Sequence, residues 1–209
     1  MKRMLALGLV LPAALLLAMP AAAAGQKPTR VSEAQLRSDM RKLWEDHVTY
    51  TAFFYTAAIN GGDDAGKLAE RLLRNQDDIG NAVKPFYGED AGNELAALLR
   101  DHILIAADLV KAAKAGDAAA QGQATKRWYA NADDIAAFLS AANPHWPRKT
   151  LQDMLHGHLA MTIDAVVAKL HHDTAAAIVA YDKGREHMLM VADTLSSGLV
   201  KQFSARFDS

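Results

Sequence analysis

Signals that stop or start a helix recur along this chain at nearly even intervals. They are Asn60-Gly61-Gly62, Pro85 with Gly88, Gly116, Asn143-Pro144 and Asp173. Between them the sequence is rich in Ala and Leu, with apolar residues three, four and seven apart. That is the period of helices that each bury one face. No strand-like alternation is long enough to compete. Ser32 followed by Gln35 is a capping-box start, so a first helix is expected over 33–59. A second begins at Asp63 or Asp64 and ends before Pro85, where the ring interrupts helical hydrogen bonding. A third covers 89–115, and Asp117 caps a fourth that stops at Asn143-Pro144. The fifth covers 148–171, and the sixth, capped by Asp173, reaches residue 203. Six helices with short connections predict an all-α, six-helix up-and-down bundle.

An internal repeat strengthens that expectation. Asn75-Gln76-Asp77-Asp78-Ile79 returns as Asn131-Ala132-Asp133-Asp134-Ile135, a shift of 56 residues. The same shift carries Arg71 onto Arg127, Leu95 onto Leu151, Leu99 onto Leu155, His102 onto His158 and Asp108 onto Asp164. The second and third helices therefore read as a helical hairpin duplicated in the fourth and fifth.

The first residues have the form of a secretory signal: Lys2 and Arg3, an apolar run from Met4 to Met19, and an Ala-x-Ala site at Ala22-Ala23-Ala24. Cleavage there makes residues 1–24 a signal peptide, followed by a linker over 25–32 and one helical domain over 33–209. The expectation is a periplasmic or secreted protein with no membrane association once the signal is removed. Lys2 and Arg3 are two of the 23 basic residues; without them 21 face 24 acidic ones, a formal charge of −3. Such a balance offers no electrostatic capture of nucleic acid or of an anionic membrane. The chain has no cysteine, which excludes disulfides, thiolate metal sites and covalent c-type haem.

Each expected helix carries one polar residue near its middle, among apolar neighbours. In order these are His47, Asn75, His102, Asn131, His158 and His187, separated by 28, 27, 29, 27 and 29 residues. In an antiparallel bundle such positions lie at similar heights and can form one layer. His102 shares its stripe with Leu95, Leu98, Leu99, Ala106 and Leu109. Asp78 and Asp134 follow the two asparagines by three residues and are placed on the adjoining part of the inward face. Asp77 and Asp133, two residues on, are placed in solvent. Imidazole and carboxylate from facing helices are the donors of a Zn, Fe or Mn site in a bundle. The candidate metal ligands are therefore His47, His102, His158, His187, Asp78 and Asp134, with Asn75 and Asn131 as ligand-binding amides. The pattern shares its geometry with di-metal carboxylate bundles but lacks their Glu-x-x-His motif.

Plainer readings stand beside this one. A lone histidine on an apolar face is more often a hydrogen-bonded core residue than a ligand. Asp78 and Asp134 can equally pair with Arg71 or Arg127. His171-His172 closes the fifth helix at the surface, His156 faces away from His158, and His145-Trp146-Pro147 is a loop packed over a bundle end. Trp44 and Trp128, each three residues before a central polar residue, read as core.

In the segments 75–81 (NQDDIGN), 84–88 (KPFYG) and 128–135 (WYANADDI), with Phe138-Leu139-Ser140 and Asn143-Pro144, the chain resembles a small prokaryotic all-helical family known from bacilli. The likeness covers about residues 40–203, including His102, His158 and Glu186-His187-Met188. Members carry labels such as glycosyltransferase or acetylglutamate kinase. A helical bundle lacks the strand-to-glycine-loop sites of nucleotide-dependent enzymes, so the resemblance implies a fold and a set of central residues, and no reaction. The leading functional expectation is an exported bundle that binds a metal ion or a small polar ligand in its central layer. A structural or interaction module, whose polar layer only fixes helix packing, and a metalloenzyme are the alternatives.

Overall fold

The computed structural model describes residues 32–207; the signal-like segment 1–24 and the linker up to residue 31 lie outside the described residues. Six helices follow in order: α1 (Glu33–Asn60), α2 (Ala65–Tyr87), α3 (Glu89–Ala115), α4 (Ala118–Ala142), α5 (Arg148–Leu170) and α6 (Thr174–Gln202), then a 3₁₀ turn at Ser204–Arg206. No β-strand occurs among the described residues. The caps are chemical as well as positional. Ser32, Asp117 and Asp173 accept hydrogen bonds from the backbone N–H of Gln35, Ala120 and Ala176, satisfying donors that a helix start leaves free. Gly61 and Gly116 end α1 and α3 at φ 74° and 69°, a conformation that side chains with a Cβ resist.

One boundary differs from expectation. Pro85 lies inside the last turn of α2, which continues to Tyr87. Proline there removes a single donor to the preceding turn, and the Gly88 N–H closes the helix on the Lys84 carbonyl at 2.8 Å.

Each helix packs on its neighbours in the chain, and α6 packs back on α1, closing a ring; α1 also touches α3 and α5 across the interior. At the crossing of α2 and α3 the backbones come close. A Cβ on Gly80 would stand 2.5 Å from the Gly92 carbonyl oxygen, so glycine sets that approach. The two ends of the bundle are filled differently. At one, Phe86, Tyr87, Trp146, Phe203 and Phe207 form an aromatic plug with ring centroids 5.2 to 5.9 Å apart. At the other, only the smaller cluster of Tyr55, Val110, Ala165 and Val166 closes the core.

The 56-residue repeat is visible in the hydrogen bonds, and it extends to a third copy. Asn75 Nδ2 of α2 donates to the Leu43 carbonyl of α1 (3.0 Å), and Asn131 Nδ2 of α4 to the Leu98 carbonyl of α3 (3.1 Å). His187 Nε2 of α6 does the same to the Met154 carbonyl of α5 (2.6 Å). Each of the hairpins α1–α2, α3–α4 and α5–α6 is thus bolted by its second helix to its first.

Candidate functional site

Two concentric sets of polar residues occupy the middle of the ring. The inner set comes from the first helix of each hairpin: His47, His102 and His158, only 2%, 3% and 4% exposed. Each lies on the most apolar stripe of its helix, which turns it to the axis. The His47 and His158 rings have centroids 5.4 Å apart, and the His102 ring stacks over His158 at 6.2 Å and 21°. Trp44 and Trp128 are buried against the His47 and His102 rings, at 5.6 and 5.1 Å. They shield the cluster from water, in keeping with the core role expected of them.

Hydrogen bonding fixes one of the three tautomers. Because Asn131 Nδ2 faces the Leu98 carbonyl, its Oδ1 faces His102 Nδ1 at 2.8 Å. The oxygen can only accept, so His102 carries its proton on Nδ1 and keeps a lone pair on Nε2. His47 and His158 are less well served. Their Nε2 atoms stand 3.4 Å apart, and both Nδ1 atoms are buried without a partner. Whichever ring donates across that contact, one Nδ1 remains an unpaired N–H and the other an unpaired lone pair. Each such group costs about 1–3 kcal/mol. Gln76 lies beside His47 and favours its protonated form, yet Gln76 Oε1 is also buried without a bonding partner.

Burial governs the charge state. It lowers His47 to about 3, helped by His102 and opposed by Gln76. It lowers His102 to about 4, opposed by Asn131. His158 is pushed well below the usual range by burial first, then by His47, His102 and His187. All three rings are neutral at ordinary pH, each with one protonated ring nitrogen and one that carries a lone pair.

The three rings form the polar floor of a cavity of about 100 Å³ at the end away from the aromatic plug. Its walls are apolar, from Phe54, Ile103, Leu109 and Val166 among others, and it runs toward Gln121 and Val167. Thr51 and Thr162 also line it, but their hydroxyls donate to the His47 and His158 carbonyls one turn back (2.7 and 2.9 Å). No carboxylate lines the space.

The outer set, Asn75, Asn131 and His187, comes from the second helix of each hairpin and makes the three interhelical bolts. His187 is partly buried beside Gly157, where a Cβ would meet its ring at 3.2 Å. It stands behind His158 with its Nε2 committed to the Met154 carbonyl.

The placement of the acids is corrected. Asp78 and Asp134 are exposed, and so lie outside the layer. The buried stripe of α2 runs through Leu72, Asn75, Gln76, Ile79, Gly80 and Val83, and that of α4 through Trp128, Asn131, Ala132, Ile135, Ala136 and Leu139. Both stripes lean toward the residue after each Asn, leaving the residue three beyond it in water. Asp77 and Asp133, expected in solvent, are instead partly buried and reach the following helix: Asp77 pairs with Arg100 (3.0 Å) and Asp133 with His156 (2.8 Å). Arg71 and Arg127 pair with Asp46 and Asp108 rather than with Asp78 or Asp134. Gln76 was not singled out from sequence, although its place on the same stripe as Leu72, Ile79 and Val83 was a readable signal. Among the described residues, no three His, Asp or Glu side chains already stand together at metal-ligand spacing, and no helix is long and apolar enough to cross a membrane. Compared with protein-family models, with curated proteins and with solved structures, the chain gives no match.

Proposed function

We propose that this chain is an exported binding protein for a transition-metal ion of the Zn²⁺ class, held by His47, His102 and His158. The observation that carries the reading is the 3.4 Å between His47 Nε2 and His158 Nε2, two buried neutral imidazoles. Two nitrogens at about 2.0–2.1 Å from one tetrahedral metal lie about 3.3–3.4 Å from each other. Coordination through Nε2 places the proton of each ring on Nδ1. For His102 that proton already meets Asn131 Oδ1. For His47 it would face Gln76, whose Oε1 lacks a donor. The third ligand is completed by a side-chain movement of His102 toward the pair. An all-imidazole set without carboxylates favours Zn²⁺ or Fe²⁺ over Mn²⁺, which removes one of the metals that Asp78 and Asp134 had suggested. The outer ring serves the competing structural reading, since its members are spent on interhelical hydrogen bonds.

The test is metal content and metal-dependent stability of the protein over 25–209. Parent protein, stripped and reloaded with Zn²⁺, Fe²⁺ or Mn²⁺, should hold close to one Zn²⁺ per chain and melt higher by the linkage expected of a native-state ligand, about 2.7 kcal/mol at a hundredfold excess over Kd. His47→Gln with His158→Gln should abolish uptake, while Asp134→Asn should not. Failure of all three metals to bind, or equal uptake by the double variant, sinks the proposal. A double variant that is merely less stable, with no metal effect in the parent, would assign the layer to packing.

A further inference from the structure

We infer that the cavity above the histidines takes a neutral short-chain alcohol, its hydroxyl donating to His102 Nε2 and its aliphatic tail lying along the apolar walls. Three polar side chains whose hydrogens are placed by their partners line the floor as acceptors. Asn131 Oδ1 holds the His102 proton on Nδ1, and the lone pair left on Nε2 meets no donor among the described residues. His102 is 3% exposed and lines the space, so bulk water does not stand in for that donor. Thr51 and Thr162 give their hydroxyl protons to the His47 and His158 carbonyls, and each oxygen keeps only lone pairs to offer. A buried acceptor without a donor is destabilising, so the floor lacks a group that brings a proton. The Trp128 ring, against His102, also lines the cavity and carries a buried Nε1–H without a partner. A hydroxyl both donates and accepts. A carboxylate or a ketone brings no proton, and an ammonium brings a charge that no Asp or Glu in the lining balances.

The inference does not rest on the metal reading. Metal and alcohol call on the same His102 lone pair and exclude one another. Water also donates, but a buried water needs about two to four polar partners. Above the floor, Phe54, Ile103, Ala106, Leu109, Ile163 and Val166 make the walls apolar, which suits carbon. An apolar cavity of about 150 Å³ takes benzene, so one of about 100 Å³ takes on the order of four carbon atoms. The route in runs past Gln121, Thr125 and Val167 at the end of the bundle that lacks the aromatic plug.

The experiment uses metal-free protein over 25–209 with isotopically labelled histidine ring nitrogens, followed by NMR. Ethanol, propan-1-ol, butan-1-ol, pentan-1-ol and hexan-1-ol are titrated in turn. A saturable shift of His102 Nε2 is expected, with affinity rising about three- to fourfold per added methylene until the cavity is full, and then levelling off. Methoxypropane, an isomer of butan-1-ol with no proton to donate, should bind about 2- to 12-fold more weakly, and butanoate more weakly still. Ala106→Phe, which fills the space, should remove the saturable shift; where that variant folds poorly, the series in the parent decides the matter. A saturable shift without chain-length dependence, equal affinity for methoxypropane, a preference for butanoate, or no saturable shift at all overturns the inference. Metal uptake is read separately, by metal content, so either proposal can fail while the other stands.

Discussion

His158 and His187 are the same side chain on neighbouring helices, and they do opposite things. His187, on the second helix of its hairpin, gives its Nε2 proton to the Met154 carbonyl and holds α6 to α5. His158, on the first helix, faces another imidazole at 3.4 Å and leaves its Nδ1 with no partner. The same contrast runs round the ring. Asn75, Asn131 and His187 are each spent on a carbonyl of the preceding helix, whereas His47, His102 and His158 meet at the axis with two ring nitrogens unsatisfied. Depth and residue type do not separate the interhelical bolts from the axial rings; position within the hairpin does. A buried polar group with all its partners stiffens a fold, and one without them is held ready for something else or is a standing cost.

The largest expected effect follows from protonation of the inner ring. Burial depresses the folded pKa of His47 to about 3 and of His102 to about 4, and lowers His158 well below its usual range. The unfolded chain, with histidine near 6.5, therefore binds more protons than the folded one below that pH. The stability of keeping these rings neutral is fully present above about pH 6.5 and is lost as pH falls toward the folded values. Each histidine contributes roughly 1.4 kcal/mol per pH unit inside that window. Metal-free protein should unfold between about pH 6 and 4, followed by circular dichroism. His102→Gln with His158→Gln should flatten the slope. Equal slopes in the parent and this variant would break the contrast.

Next in size is Asn131→Leu, which orphans both the Leu98 carbonyl and the His102 Nδ1 proton. A loss of about 2–5 kcal/mol in urea denaturation is expected, with metal affinity weakened about 10- to 100-fold. Asn131 also hydrogen-bonds the inner ring at His102, so the two sets should couple there. Asn75→Leu removes the donor to Leu43 and the acceptor of Gln76, but Gln76 keeps its bond to the Leu72 carbonyl. It should cost about 1–3 kcal/mol and change metal affinity little. The smallest effects belong to Asp78→Asn and Asp134→Asn, both within about 0.5 kcal/mol of the parent, as for other exposed positions. A large change in either would return the acids to the site.

Most of the fold was legible because helix punctuation is local chemistry. Ser32, Asp117 and Asp173 cap the helices they were expected to start, and Gly61 and Gly116 end two of them. The inner ring was legible because histidine on a Leu-rich stripe has one direction to face. Two things were not. The third copy of the hairpin was hidden because His187 stands where the other copies have Asn, so identity broke while the hydrogen bond to the previous helix persisted. The acids were misplaced by a rotation within the helix. Gly80 and Ala136 already marked the side of α2 and α4 that packs closely, and reading them would have put Gln76 inside and Asp78 outside. That α6 returns to α1 is a matter of tertiary closure, which no segment declares by itself.

That closure has a consequence for connectivity. The start of α1 lies beside the end of α6, where Arg37 hydrogen-bonds Ser197 at 3.0 Å. In a closed circle, the contact between α6 and α1 brings the ends of the bundle together as each loop joins its two helices. Joining the start of α1 to the end of α6 and opening the chain at Gly88, or between Asn143 and Pro147, would give a circular permutant with the same neighbours all round. The central three histidines would then arrive from the sequence in a different order and meet at the same point, as they would if the ring had grown from separate copies of one hairpin.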